Sequence, residues 1–408
     1  MWDLEKVMKS VTHNSLSCLN SLELYEQKDR TYTVTFQNGL MSGEEKRSIG
    51  YSCRCNTEHG CGVGYAFTPS KAVDHAMTSA KESPSQRWTL PEGPFHYPDI
   101  QVISQTARSL SFDDFIDYVS EVYPGFGRYT VSLLCRKVQI LNTFGVKGQK
   151  EETLLNASFS INSGWNETTR SRDLISASTL RDMSQRAMES KKRKKASLNV
   201  KNGWLLLCGN AADTVNRRYC ENIFKNPSLR DEQIFPRDIS LLDDGTVPGG
   251  IFSAPFDDEG VPCTKNDLVI EGRVKGIMLN SSLATKMHTN PTGNAKRTSW
   301  HSFPTVSPHN LQFFGSMKGR EELRRYITEG VLVTRVRAFL PIVLDRHFGD
   351  IMLLIDGAFM KHGEVAYFIE NGKVRFNFPK SLTGVSTLYE YNQQPYLQDL
   401  LFEHVTFL

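Results

Sequence analysis

Apolar positions in the first twenty residues recur at helical spacing: Leu4, Val7, Met8, Val11, Leu16 and Leu19, predicting a helix over 3–20. The pattern then switches to alternation through Leu22, Leu24, Tyr32, Val34 and Phe36, as in a strand with one buried face. Asn38-Gly39 marks a hairpin turn. Further strands are expected over Tyr51–Cys55 and Cys61–Phe67, then a helix over Lys71–Lys81 with Ser70 as its N-cap. Residues 84–109 are rich in proline and polar groups and read as loop. Ser111 opens a helix over Phe112–Val122. Tyr129–Leu134 and Lys137–Leu141 read as strands, and Ser176–Glu189 as a helix ending in the basic run Lys191–Lys195.

From Trp204 the character changes. One helical stretch, Ala211–Phe224, is followed mostly by strands: Asp267–Glu271, Lys275–Leu279, Val331–Val336, Ile351–Ile355 and Val365–Glu370. Turns are expected at Asp244-Gly245, Glu271-Gly272 and Asn371-Gly372. The pattern predicts an α+β protein of two domains. Residues 1–196 form an N-terminal α/β sandwich-like domain, and residues 197–408 an antiparallel, sheet-rich, barrel-like one.

Composition changes this picture little. With 408 residues, 39% hydrophobic and 23% charged, the chain has enough material for two cores. A net charge of +3 does not point to nucleic acid, and eight cysteines do not make a disulfide scaffold. Charges at Asp3, Glu5 and Lys6 argue against a signal peptide, and no apolar run reaches membrane-spanning length. A cytoplasmic protein with reduced thiols is expected.

Cys53, Cys55, His59 and Cys61 invite a metal reading. If Cys55 faces Cys61 across the loop Asn56–Gly60, all three thiols share one apolar face with Tyr51, Val63, Tyr65 and Phe67. Ser52, Arg54, Gly62, Gly64 and Ala66 take the other. Cysteine on such a face behaves as a small hydrophobe, and Cys-x-Cys is not the usual zinc-knuckle spacing. Buried structural thiols are expected.

The stretch PFDDEGVPCTKNDLVIEGRVKGIMLNSSLATKM, residues 255–287, followed by TGNAKR, residues 292–297, resembles the TldD/PmbA family in the order and spacing of its motifs. GAFMKHGEVAYFIENGKV, 357–374, and GYSCRCNTEHGCGVGYAFT, 50–68, resemble that family's later strand pair and N-terminal hairpin, whose cysteine positions are ordinary strand residues. The resemblance implies a two-domain subunit of a cytosolic peptidase system. There, a zinc-bearing TldD-type subunit pairs with a metal-free TldE/PmbA-type subunit around a tunnel. The tunnel accepts unfolded or modified peptides, and one known task is trimming leader peptides from peptide natural products.

The zinc subunit carries His-Glu-x-x-x-His on a helix, so that both imidazoles reach one metal and the glutamate serves the bound water. By the family's order, that helix follows Trp204–Leu207. Here Arg217 and Arg218 fall where His-Glu is expected, and Glu221 near the second histidine. Guanidinium groups repel a cation. No histidine lies between His96 and His288, and the family's C-terminal cysteine ligand has no counterpart, Cys263 being the last cysteine.

The chain therefore resembles the non-catalytic subunit. It is expected to hold no cofactor itself, zinc belonging to the TldD-like partner, and to bind neither membrane nor nucleic acid. Asp258, Glu259, Gly260, Thr292, Gly293 and Asn294 are candidate substrate-channel residues, although turn roles compete for them. Two alternatives stand beside this reading. One is a self-sufficient hydrolase with a relocated cysteine site, for which Cys220 beside its arginines is the candidate. The other is a basic module binding nucleic acid through 191–195, a run that also suits a helix end or a solvated linker.

Overall fold

A computed structural model describes residues 3–14, 19–82, 89–123, 125–161, 166–191, 194–198, 200–315, 317–340, 349–391 and 394–408. The first half is built on one antiparallel sheet. Its strands are β1 (Leu19–Gln37), β2 (Leu40–Thr57), β3 (Cys61–Ala66), β4 (Arg128–Asn142), β5 (Lys147–Ser160) and β6 (Asn166–Ser171), in the order β3-β2-β1-β4-β5-β6. Asn38 and Gly39 take φ of 52° and 82°, the two left-handed positions of the tightest hairpin turn, which lets β1 and β2 pair from end to end. The two strands expected at Tyr129–Leu134 and Lys137–Leu141 are one continuous β4, because polar Cys135-Arg136 interrupts the pattern without interrupting the pairing to β1. Strands β5 and β6 were not expected.

Helices α1 (Asp3–Asn14), α2 (Pro69–Glu82), α3 (Gln105–Ser109), α4 (Phe112–Val122) and α5 (Ala177–Lys191) complete this half. The first helix is shorter than its apolar spacing suggested, with Leu19 already in β1. Helix α2 begins at Pro69, so Ser70 sits inside the first turn rather than capping it. Helix α4 begins where expected: Ser111 accepts from Asp114 N and the Asp114 carboxylate accepts from Ser111 N. The loop expected over 84–109 contains α3 within its described part.

Even-numbered residues of β1 face the helices. Leu22 and Leu24 pack with α1 and α2, and Tyr32, Val34 and Phe36 with Phe115 and Val119 of α4 and Leu180 and Met183 of α5. The odd-numbered Glu23, Tyr25 and Gln27 are also buried, on the opposite face. That face is covered by the second half of the chain, where Phe256 packs with Tyr25, Val138, Ile140 and Val146.

The cysteine hairpin departs from expectation by one residue. Asn56, not Cys55, opposes Cys61, and Cys55 opposes Gly62. A one-residue slip moves every later side chain to the other face. Cys53 and Cys55 lie in the core under α2, whereas Cys61 points to the other side, its Sγ 3.0 Å from Asn56 Oδ1. His59 is exposed on the turn, beside Glu58. Gly62 and Gly64 face α2 instead, where an added Cβ would lie 1.8 and 2.0 Å from the carbonyl oxygens of Ala76 and Ala72.

The second half closes a five-stranded barrel-like sheet. Strand β7 (Asn202–Leu207) runs parallel to Glu329–Leu340, which continues through Asp350–Lys361 and Glu364–Asn377 to Leu400–Phe407. That last strand returns to pair with β7. The fold is α+β, as the hydrophobic pattern predicted.

Asn371-Gly372 is not a turn. Asp356 Oδ1 accepts from Asn371 N, and the ladder shifts register there, so the pair makes a bulge inside a continuous strand. The strand expected at Lys275–Leu279 is reduced to pairing at Arg273–Val274, after Glu271-Gly272 turns as expected with φ of 48° and 74°. Beyond it Gly276 runs against Asp267, where a Cβ would meet the Asp267 carbonyl oxygen at 2.5 Å.

The register gives a paired test. Gly64→Ala drives a methyl into the backbone of α2 and is expected to cost about 1–3 kcal/mol, whereas Cys53→Val, close in volume, costs less than about 1.5 kcal/mol. Urea unfolding of both variants checks this, and a Gly64→Ala cost no greater than that of Cys53→Val overturns the register.

Candidate functional site

Helix α6 (Gly209–Ile223) hangs directly from β7. Its start is held by Asp399, whose Oδ1 accepts from Gly209 N at 2.9 Å and whose Oδ2 binds Arg320 at 2.8 Å. Helical spacing then sorts its residues. Ala211, Ala212, Val215, Tyr219 and Cys220 enter the barrel-side core. Asp213, Thr214, Arg217, Arg218 and Glu221 line a cavity of about 490 Å³ between that helix and the first sheet. The opposite wall comes from β4, β5 and β6: Arg136, Lys150, Glu152 and Arg170, with Arg172 just beyond. Phe252, Asp257, Asp258, Lys296 and His309 close it.

The wall is held by a charge network between the two halves of the molecule. Arg54, fully buried, donates Nε to Glu23 Oε1 at 2.8 Å and a further N–H to Glu23 Oε2; its third donor reaches Glu259 Oε1 at 2.7 Å. Arg297 donates to Glu23 at 2.8 Å, and Glu259 Oε2 accepts from Ser281 N at 2.7 Å. Arg54 is buried because the second half covers the face on which it sits. Lys150 bonds Asp258 Oδ1 and the Phe256 carbonyl, each at 2.8 Å. Asp257 accepts from the amides of Glu259, Val261 and Ala295, an anchor for the loop that burial and the nearby Glu259 make harder to ionise.

Of the six channel candidates, Asp258 stands on the cavity wall. The other five support it from behind. Glu259 is in the charge network. Gly260 takes φ of 81° with Val146 2.4 Å from where a Cβ would be, and its carbonyl accepts from Tyr97 at 2.9 Å. Thr292 accepts from Leu279 N at 2.8 Å and donates to Asn294 at 2.7 Å. Gly293, at φ of 74°, is pressed against the Pro262 carbonyl, and Asn294 donates to Asp243 at 2.7 Å.

Arg217 points into the cavity with its guanidinium carbon 3.2 Å from the centre of the Phe252 ring, and donates to the carbonyls of Pro308, at 2.6 Å, and His309. Arg218 is 63% exposed and 3.8 Å from Glu221, which accepts from Ser307 at 3.0 Å. The thiol of Cys220 lies in the core, and burial pushes its pKa up, away from a nucleophilic thiolate. A different cysteine has the partners of a nucleophile. Cys263 Sγ lies 3.2 Å from His309 Nε2, and His309 Nδ1 lies 3.5 Å from Asp243. Burial opposes a charge on His309, but Cys263 and Asp243 prevail and push it up to about 10. Cys263 is 1% exposed and does not line the cavity. Of the basic run, Lys195 pairs with Glu370 at 2.5 Å, Lys194 is exposed, and residues 192–193 lie outside the described set.

Residues 221–397 match the PmbA/TldA metallopeptidase C-terminal domain. That stretch is a C-terminal domain of the TldD/PmbA family. The chain is 28% identical over 144 residues to a metalloprotease TldD homolog of Haemophilus influenzae, covering 35% of this chain and 27% of that one. It is 27% identical over 144 residues to a metalloprotease PmbA homolog of Buchnera aphidicola, covering 35% and 27%. An uncharacterised protein of Methanocaldococcus jannaschii is 24% identical over 247 residues, covering 58% and 56%. These alignments thus span about half or less of the curated relatives. The structure of TldE from Thermococcus kodakarensis superimposes with a TM-score of 0.81 at 17% identity, over 98% of this chain and 99% of that one, which shows a shared fold.

The zinc associated with TldD-type members does not fit the residues here. The cavity face of α6 offers Arg217 and Arg218, cationic and without a lone pair for a metal. In the hairpin, Cys61 faces away from Cys53 and Cys55. Among the described residues, no three His, Cys, Asp or Glu side chains gather as metal ligands. Arg170, Arg172, Phe252 and His309, which dominate the cavity, were not anticipated. Their one sequence signal is the arginine pair flanking Ser171.

Two outcomes test this arrangement. Arg54→Met leaves Glu23 and Glu259 buried with a charge partner removed, and is expected to lower unfolding free energy by about 3–5 kcal/mol. Burial alone would raise the Glu152 carboxyl, but Arg172, Lys296, Arg136 and Lys150 hold it down to about 2. That stabilisation is present above its ordinary 4.5 and lost as pH falls from there towards 2. Glu152→Gln is therefore expected to flatten the acid limb of the stability curve by up to about 3 kcal/mol, measured by urea unfolding at stepped pH.

Proposed function

We propose that this chain is the metal-free, TldE-type subunit of a two-subunit cytosolic peptidase, holding peptide for a zinc-bearing TldD-type partner. The family is metallopeptidase-related, and this chain's part in it follows from one observation: arginine occupies the cavity face of α6 where the family's zinc helix presents histidine and glutamate. A bound zinc is what brings the pKa of water to about 7, and the residues here offer it no seat. What the chain retains is the supporting architecture, with the 255–297 segment clamped between the two halves and a cavity beside it. Full-length likeness to a TldE structure supports the same assignment. Unfolded or modified peptides are the expected substrates, as in leader-peptide removal during peptide natural product maturation. Extended peptide can be held through main-chain hydrogen bonds whatever its sequence.

A second reading rests on the alignment of Cys263, His309 and Asp243, which is that of a cysteine hydrolase. The burial of the thiol argues against it.

The purified chain is expected to leave unstructured peptides uncut, and to yield cleavage when mixed with a zinc-bearing TldD-type subunit. That cleavage should disappear with chelator or on loss of the partner's catalytic glutamate, and survive Cys220→Ala and Cys263→Ala in this chain. Chelator-resistant cleavage by the isolated chain, abolished by Cys263→Ala, would establish the second reading instead.

A further inference from the structure

We propose that the cavity recognises a carboxylate of the bound peptide and that Arg170 is its seat; this rests on the reading above, that the chain holds peptide.

The charge balance of the wall motivates it. Seven arginine and lysine side chains, with the His309 imidazole, line the cavity against five carboxylates, those of Glu152, Asp213, Glu221, Asp257 and Asp258. Most of the cations are committed. Arg136 is paired with Asp29 at 2.8 Å, Lys150 with Asp258 at 2.8 Å, and Arg172 with Glu152 at 3.0 Å. Arg217 is spent on two backbone carbonyls and Asp213 at 3.4 Å.

Arg170 differs. Half-buried on the edge strand β6, it has no acidic partner within ion-pair distance among the described residues. Its neighbour is the ring of Phe252, at 5.8 Å, against which Arg217 also stacks. A guanidinium in a partly desolvated wall retains a planar set of N–H donors matched to two carboxylate oxygens. Arg218 and Lys296, 63% and 49% exposed, stand at the mouth with acidic neighbours no nearer than 3.8 and 3.7 Å. They can draw an anion in without holding it.

The walls also limit what the anion can be. Asp213 and Glu221 stand on the same helix face and would repel a polyanion, which suits an anion of one or two negative charges. Leu134, Leu154, Ile251 and Phe339 give the cavity an apolar side where the residue bearing the carboxylate can rest. About 490 Å³ has room for a residue or two of peptide. A carboxylate at the peptide's C-terminus and one on an aspartate or glutamate side chain present the same two oxygens.

The test uses the full chain and fluorescence anisotropy with one labelled, unstructured peptide in three forms: with a free C-terminus, amidated at the C-terminus, and free at the C-terminus with its single internal Glu replaced by Gln. Removing the recognised carboxylate is expected to weaken binding at least tenfold, and whichever change does so identifies the source. Arg170→Gln should bring the tighter forms down to the affinity of the weakest while leaving that weakest affinity, and the melting temperature, unchanged. Arg170→Lys should restore part of the difference. Equal binding of all three forms, or undiminished discrimination by Arg170→Gln, overturns the carboxylate seat and leaves the subunit assignment standing on the activation assay. Binding of none of them overturns the seat as well, while activation of a zinc-bearing partner still decides the assignment separately.

Discussion

The molecule turns on a guanidinium with no access to water. Arg54 sits between Glu23, one strand away, and Glu259, more than two hundred residues away, with Arg297 completing a balanced group of two positive and two negative charges. None of the four is stable in that setting alone, because burying an unpaired charge costs several kcal/mol. Together they satisfy one another only in one arrangement of the two halves. A greasy interface of the same area would tolerate sliding; this one does not. The loop from Phe256 to Val261 is fixed by it, and through that loop the positions of Asp257 and Asp258 on the cavity wall.

The same interaction explains what could and could not be read from the chain. Alternation in β1 identified the helix-facing positions, and Asn38-Gly39 and Ser111 located a turn and a helix start because their chemistry is local. Glu23 and Arg54 occupy the alternate positions, which a period-two pattern assigns to solvent. Nothing local says that a second layer covers them. The cysteine hairpin failed for a related reason: loop length decides register, and a four-residue connection instead of five placed Cys61 opposite Asn56. Asn371-Gly372 has the composition of a turn, but Asp356 from the neighbouring strand converts it to a bulge.

The cavity was half legible. Arg217, Arg218 and Glu221 follow from helical spacing and from the place of α6 after β7. Arg170, Phe252 and His309 come from three separate segments that only the folded chain brings together. The family resemblance was strong in the segment 255–297, and that segment is chiefly the clamp, with only Phe256, Asp257, Asp258, Ala295 and Lys296 of it reaching the cavity. Motif strength therefore tracked structural constraint more closely than exposure to a ligand.

Strand β7 bears on the order of assembly. It pairs on one side with Glu329–Leu340 and on the other with Leu400–Phe407, so both neighbours lie far along the chain from it. Such pairings require long loops to close before any contact rewards them, which makes them slow. Helix α6 is joined to β7 by one residue, Cys208, and anchored by Asp399, next to the closing strand. A nascent or partly folded chain thus has its first sheet and its arginine-bearing helix but no fixed relation between them. The pocket comes into being only with the final closure, so an incompletely folded chain presents no half-built cavity.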